Sequence, residues 1–218
     1  MKKAIAILLS LTMILGLAAC GNSASQTEQP STEDTSVESK ADTESAENGT
    51  DMENTDNQDV QNHKALVAYF SATGTTNGVA EHIANGLNAD IYEIVPEEPY
   101  TDADLDYNDN NSRTTIEMND PDARPAISGS VENMEQYDIV FIGFPIWWYV
   151  APTIINTFLE SYDFSGKTIV PFATSGGSGM GSTNEKLAPS CPGAILMKGK
   201  MLNGLLSQEE LKAWVKSL

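Results

Sequence analysis

Short apolar runs separated by polar turns recur along the chain from position 64 onward. Ala65 to Phe70 (ALVAYF), Ile139 to Phe144 (IVFIGF) and Thr168 to Phe172 (TIVPF) are continuous and rich in β-branched or aromatic residues, the pattern of strands buried on both faces. Ala194 to Met197 is a weaker run of the same kind. Ala89 to Val95 carries Asp90, Tyr92 and Glu93 among its apolar positions and fits an edge strand. Helical spacing fills the gaps at Thr76 to Leu87, Pro152 to Ser161, Thr183 to Leu187 and Gln208 to Leu218. Alternation of this kind predicts an α/β fold, a doubly wound five-stranded parallel sheet with helices on both faces. One segment breaks the rhythm. Pro96 to Gln136 is long and polar, only Asn111 to Met118 looks helical, and most of it reads as surface loop.

The N-terminal residues follow a different pattern. Met1-Lys2-Lys3 and the apolar run Ala4 to Leu17, too short to span a bilayer comfortably, read as a secretory signal over 1–19. The run closes in Leu17-Ala18-Ala19-Cys20, which resembles the bacterial lipobox. That resemblance implies lipidation of Cys20 and an extracytoplasmic protein held at the cell membrane through its lipid alone. From Gly21 to His63 there are eleven acids, one Lys and almost no large apolar residue, so 20–63 is expected to be a lipidated, disordered acidic tether. As a flexible coil of about 43 residues it would reach roughly 35 Å.

The remaining residues 64–218 form the expected single domain, about 155 residues, enough to bury one full core. This part carries twenty acids and nine Lys or Arg, a net charge of −11, which makes nucleic acid an improbable partner. With Cys20 lipidated, Cys191 would have no intramolecular disulfide partner and is expected to be a small, half-buried residue without chemistry.

Three loops carry candidate chemistry. After the first strand comes Ser71-Ala72-Thr73-Gly74-Thr75-Thr76-Asn77, running into a helix. A helix start offers unpaired N–H groups and the positive end of its dipole, hydroxyls add neutral donors, and Gly74 permits the turn. No Lys or Arg lies in the loop, so a monophosphate suits it better than a P-loop nucleotide. After the third strand, Pro145-Ile146-Trp147-Trp148-Tyr149-Val150-Ala151-Pro152 sets three consecutive aromatics between prolines, a plausible stacking wall for a flat heteroaromatic ligand. After the fourth, Thr174-Ser175-Gly176-Gly177-Ser178-Gly179 exposes main-chain groups able to read the polar edge of a ring. Each loop alone also fits a bland reading, as a capped turn, ordinary packing or a flexible linker. Ligands in open α/β sheets bind at the carboxyl ends of strands where strand order reverses, and in the order 2-1-3-4-5 all three loops meet at one crevice.

Here the sequence resembles the flavodoxin-like family over Lys64 to Leu218. The resemblance rests on Ser71-x-Thr73-Gly74-x-Thr76, Pro145-x-Trp147-Trp148 and Thr174-Ser175-Gly176-Gly177-Ser178-Gly179, supported by Tyr137-Asp138-x-Val140-x-x-Gly143 and Asp163-Phe164-x-Gly166-Lys167. It implies non-covalent FMN: the phosphate on Ser71, Thr73, Gly74, Thr75 and Thr76, the ring between Pro145, Ile146, Trp147 and Trp148, and its polar edge on Thr174, Ser175, Gly176, Gly177 and Ser178. One departure stands out. Electron-carrying flavodoxins commonly place a Gly beside flavin N5, and Trp147-Trp148-Tyr149-Val150 has none. Two functions remain open: an electron carrier serving a redox partner protein or a quinone, and an NAD(P)H-dependent quinone or flavin reductase. No motif positions a general acid or base or a metal, since His63 lies in the tether and His82 in the first helix.

Overall fold

The structure is a computed structural model that describes residues 63–218. The signal segment, Cys20 and the tether other than its last residue, His63, lie outside the described residues. Five parallel positions make the main sheet. β1 (Ala65–Tyr69) sits between β2 (Asp90–Glu93) and β5 (Ile139–Pro145), and β6 (Thr168–Thr174) follows on the far side of β5. The last position is shared by two short strands, β7 (Ile195–Leu196) and β8 (Lys200–Met201), which both pair with β6. In order of strand positions this is the 2-1-3-4-5 arrangement.

The continuous apolar runs exist because successive side chains point to opposite faces and both faces are covered. Leu66, Ala68, Phe70, Val140, Ile142 and Phe144 pack on one side with Ile154, Ile155, Phe158 and Leu159 of α3 (Thr153–Glu160). Val67, Tyr69, Phe141, Val170 and Phe172 pack on the other with Val79, Ile83 and Ala84 of α1 (Thr75–Leu87) and Leu211, Trp214 and Val215 of α5 (Gln208–Lys216). Ser207 opens α5 with a capping box, its Oγ accepting from Glu210 N while the Glu210 carboxylate accepts from Ser207 N. Gly143 is required by packing, because a Cβ there would lie 2.2 Å from the Phe172 ring.

The expected fifth strand, Ala194 to Met197, is broken. Between the pairs Ile169↔Leu196 and Phe172↔Lys200 the edge strand has one more residue than β6, a bulge. Ile169 and Ala173 turn their carbonyls to this edge, accepting from Met197 N and Leu202 N, so Pro171 by alternation faces it too and has no N–H to offer. Asn184 of α4 (Thr183–Leu187) mends the gap: its Nδ2 donates to Met197 O at 2.7 Å and its Oδ1 accepts from Gly199 N at 3.4 Å.

The segment expected to be mostly loop is more ordered than its polarity suggests. Val95 leaves the second strand and, with Pro96, forms β3 (Val95–Pro96), antiparallel to β4 (Ile127–Ser128). α2 (Arg113–Asn119) is capped by Ser112, whose Oγ accepts from Thr115 N. Arg124 grips Glu160 of α3 through two contacts, Nε to Oε2 at 2.8 Å and Nη2 to Oε1 at 2.9 Å. That pairing, together with the Ser190 hydroxyl, holds the Glu160 carboxyl below its ordinary value. Cys191 is buried rather than half-buried, and burial pushes its thiol up.

Candidate functional site

Because β1, β5 and β6 are adjacent and parallel, their carboxyl ends open on one edge of the sheet, beside β1 where the strand order reverses. A cleft of about 580 Å³ lies there. Of the fourteen residues marked by the sequence, eleven line it: Thr73, Thr75, Thr76, then Pro145, Ile146, Trp147, Trp148, then Thr174, Ser175, Gly176 and Ser178.

The other three shape its walls. Gly74 is the N-cap of α1 with φ 84, a left-handed conformation that favours glycine, and it supplies no side-chain cap. Ser71 takes over part of that duty, its Oγ accepting from Asn77 N at 3.2 Å. Among the described residues no acceptor is found for the N–H groups of Thr75 and Thr76, and the Thr73 and Thr75 hydroxyls lie 3.4 Å apart beside them. Gly177 sits in the glycine loop, where Ser175 Oγ accepts from both Gly177 N at 3.2 Å and Ser178 N at 2.7 Å. Asn203 Oδ1 accepts from Ser175 N at 2.8 Å and ties the loop to the end of β8. A buried contact joins the first and last loops, Thr76 Oγ1 to Thr174 Oγ1 at 2.9 Å.

The aromatic loop is a tight two-residue turn. Trp147 N and Val150 O are 3.0 Å apart, as are Val150 N and Trp147 O, while Trp148 and Tyr149 at its tip have φ 46 and 66. Turns with two positive φ values prefer Asn-Gly, and bulky residues there cost about 1 kcal/mol or more each. Gly181 helps to hold the tip, since a Cβ on it would lie 2.0 Å from Tyr149 O. Trp147 is pinned from the core side, edge-on to Phe70 with ring centroids 5.5 Å apart and to Tyr100 at 5.4 Å. Trp148 and Tyr149 are exposed.

The segment after β2 contributes what the sequence reading left without a role. Tyr100 donates to Glu117 Oε2 at 2.6 Å, and the Arg113 guanidinium lies 4.1 Å from the Tyr100 ring centre while its Nε donates to Glu117 Oε1 at 2.7 Å. Burial, then the Glu117 carboxylate, push the Tyr100 hydroxyl far up, so it remains a neutral donor. Leu105, Tyr107 and Thr114 of the same segment also line the cleft, as do Ala72 and Tyr149. Tyr149 was legible as the third of the consecutive aromatics, but no local signal marked Leu105, Tyr107 or Thr114.

The sequence profile of the flavodoxin family matches residues 64–218. This chain belongs to the flavodoxin family. A crystal structure of a protein from Bacteroides eggerthii described as a flavoprotein is similar at 50% identity with a TM-score of 0.68, covering 71% of this chain and 97% of that one. A counterpart from Bacteroides uniformis, described likewise, has 49% identity and a TM-score of 0.66, covering 71% and 98%. A Lactobacillus acidophilus flavoprotein, solved in complex with FMN, shares the fold at 22% identity and a TM-score of 0.55, covering 70% and 99%. A search of the curated proteins finds no match. The expectations of an α/β parallel sheet and of the family are thus borne out, and flavodoxin membership supports a flavin as the ligand of the cleft.

Proposed function

We propose that this flavodoxin-family chain binds FMN non-covalently and serves as an electron carrier, held through lipidated Cys20 at the outer side of the cytoplasmic membrane. The observation that carries the reading is the convergence on one cleft of a helix N-terminus, an aromatic turn and a glycine loop. The residues fit the cofactor. The N–H groups of Thr75 and Thr76 and the Thr73 and Thr75 hydroxyls would hold its phosphate without a cation, because α1 has thirteen residues and the N–H groups of its first two find no acceptor among the described residues. Trp147, clamped edge-on between Phe70 and Tyr100, and Trp148 would flank the ring. Ser175 fixes the glycine loop so that Gly176, with no atom within 4 Å of where its Cβ would be, leaves the backbone open to the ring's polar edge. The L. acidophilus protein solved with FMN has the same fold.

FMN supplies the chemistry when bound, accepting and returning electrons, and the chain supplies position and potential. Among the described residues, no Asp, Glu, His, Lys, Arg or Cys lines the cleft. His82 is occupied elsewhere, with Nε2 2.5 Å from Leu206 O. This lining favours the carrier over the reductase, and the net charge of −11 on 64–218 works against docking of the anionic NAD(P)H.

Titration of the apoprotein with FMN and with riboflavin, followed by flavin fluorescence, tests the assignment. FMN should bind at least a hundredfold more tightly, since the phosphate adds several charge-assisted hydrogen bonds. Equal affinities would overturn the phosphate assignment. Rapid direct bleaching of the bound flavin by NADH would replace the carrier reading with the reductase.

A further inference from the structure

Behind Trp147 lies a charge pair that the helix carrying it does not explain. Arg113 is the first residue of α2, whose first turn holds no acid, and Glu117 follows four positions later. A cation at a helix start opposes the dipole, and a basic residue four before an acid is the less favourable order of the two. The pair is also largely shielded from water, its side chains 23% and 14% exposed. Burial of an ion pair contributes little to stability, because desolvation offsets the attraction. Charges that break local preference in three ways at one place call for a role beyond their own helix.

The nearest neighbours of the pair are the rings that back the cleft. The Arg113 guanidinium lies 4.1 Å from the Tyr100 ring centre, and the Tyr100 ring meets Trp147 edge-on at 5.4 Å. The cation therefore stands within about 10 Å of the Trp147 ring centre, where a charge behind packed rings is screened less than in open water. Glu117 balances it. Its Oε1 accepts from Arg113 Nε at 2.7 Å and its Oε2 from the Tyr100 hydroxyl at 2.6 Å, so both carboxylate oxygens are engaged. Asp104, another carboxylate whose field reaches Arg113, is held by Thr101, whose N and Oγ1 donate to its Oδ2 at 2.8 and 2.7 Å.

We propose that the Arg113–Glu117 pair sets the reduction potential of the bound flavin from behind the aromatic wall. Reduction adds negative charge to the ring, so the guanidinium favours the reduced form and the carboxylate holds that pull in check. Neither side chain lines the cleft, and both act as positioning residues for the field rather than as catalytic ones. The proposal rests on the FMN reading, in which Trp147 flanks the ring. It also gives the 96–136 segment, which carries α2, a function in tuning the cofactor.

The two charges demand shifts of opposite sign, which no purely mechanical role does. The full chain and its variants are loaded with FMN, and the affinities for oxidised and reduced FMN are compared through the potential read by spectroelectrochemistry. Glu117→Gln should favour reduced over oxidised FMN about tenfold relative to the wild type, a rise of about 30 mV for two electrons. Arg113→Gln should disfavour it by a similar factor, and the double variant should return to within about threefold of the wild type. Shifts of the two single variants in the same direction would mean that the pair only holds Trp147 in place, and would overturn the proposal. Changes below about twofold in both would overturn it as well, because the field would then not reach the flavin. If Arg113→Gln does not fold, Arg113→Lys keeps the charge and should leave the potential at the wild-type value, and a tenfold change there would be equally fatal. Failure of the wild-type chain to take up FMN would instead overturn the cofactor reading on which the proposal rests.

Discussion

The bond between Thr76 and Thr174 offers a direct measurement of how the cleft is held together. The two residues are 98 positions apart, both buried, and their hydroxyls meet at 2.9 Å between the start of α1 and the end of β6. Thr76→Val keeps the shape of the side chain and removes its hydroxyl. Thr174, 3% exposed, is then left with a largely buried hydroxyl that has lost its partner. Such an orphan costs about 1–3 kcal/mol. Thr174→Val should cost the same by the reciprocal route. With both replaced, two methyl groups face each other and no orphan remains, so the double variant should be no less stable than either single one, a coupling of about 1–3 kcal/mol. Urea unfolding of the apoprotein followed by tryptophan fluorescence reads this out. For an m-value of about 2 kcal/mol/M a loss of 2 kcal/mol moves the midpoint by about 1 M. Additivity of the two single losses within about 0.5 kcal/mol would refute the reasoning, because it would mean that the hydroxyls satisfy each other too little to matter.

Four other outcomes are expected. Trp147→Ala should raise the two-electron potential of bound FMN by on the order of 20 mV, since an electron-rich indole disfavours the reduced ring; spectroelectrochemistry of Trp147→Ala and Trp148→Ala side by side checks it, and a shift only in the latter would transfer the stacking role to Trp148. Gly181→Ala places a Cβ 2.0 Å from Tyr149 O at a φ of +52 and should lower stability by about 1–3 kcal/mol, visible as a reduced Tm; an unchanged Tm would show that the aromatic turn yields freely. Arg124 lowers the Glu160 carboxyl below its ordinary value, so the stabilisation from this clamp is complete above that ordinary value and lost as pH falls through the depressed folded one. The Tm gap between the wild type and Glu160→Gln should therefore close in acid, and a gap that persists at the lowest pH would contradict the clamp. Cys20→Ala should release the protein from the membrane fraction with FMN binding intact, whereas retention in the pellet would make the apolar segment the anchor.

How the chain would fold was legible wherever the signal was local. The runs at 65–70, 139–144 and 168–172 have no polar face because the sheet is covered on both sides, and the strands observed match them to within two residues. The helix at Thr183–Leu187 coincides with the expected one, and α1 begins one residue before its expected start. The three loops could be placed together before any coordinates because parallel strands bring their carboxyl ends to one edge. Pro171 also carried an unread signal, since a proline facing an edge strand foretells the bulge that splits β7 from β8.

What the sequence by itself determined about this protein is therefore the strand positions of the main sheet and the identity of most of the cleft wall, which follow from short-range periodicity and the rule that ligands bind at the carboxyl ends of parallel strands. Only the tertiary structure decided the rest. Trp148 and Tyr149 adopt left-handed conformations that no Asn-Gly pair announces, because the Trp147–Val150 pairing and the neighbouring Gly181 impose them. The polar segment 96–136 folds onto the cleft because Arg124 meets Glu160 and Tyr100 meets Trp147, contacts 36 and 47 positions apart in the chain. Such contacts leave no periodic trace. A polar segment buries little surface of its own, so its place is set by the few partners it finds across the fold.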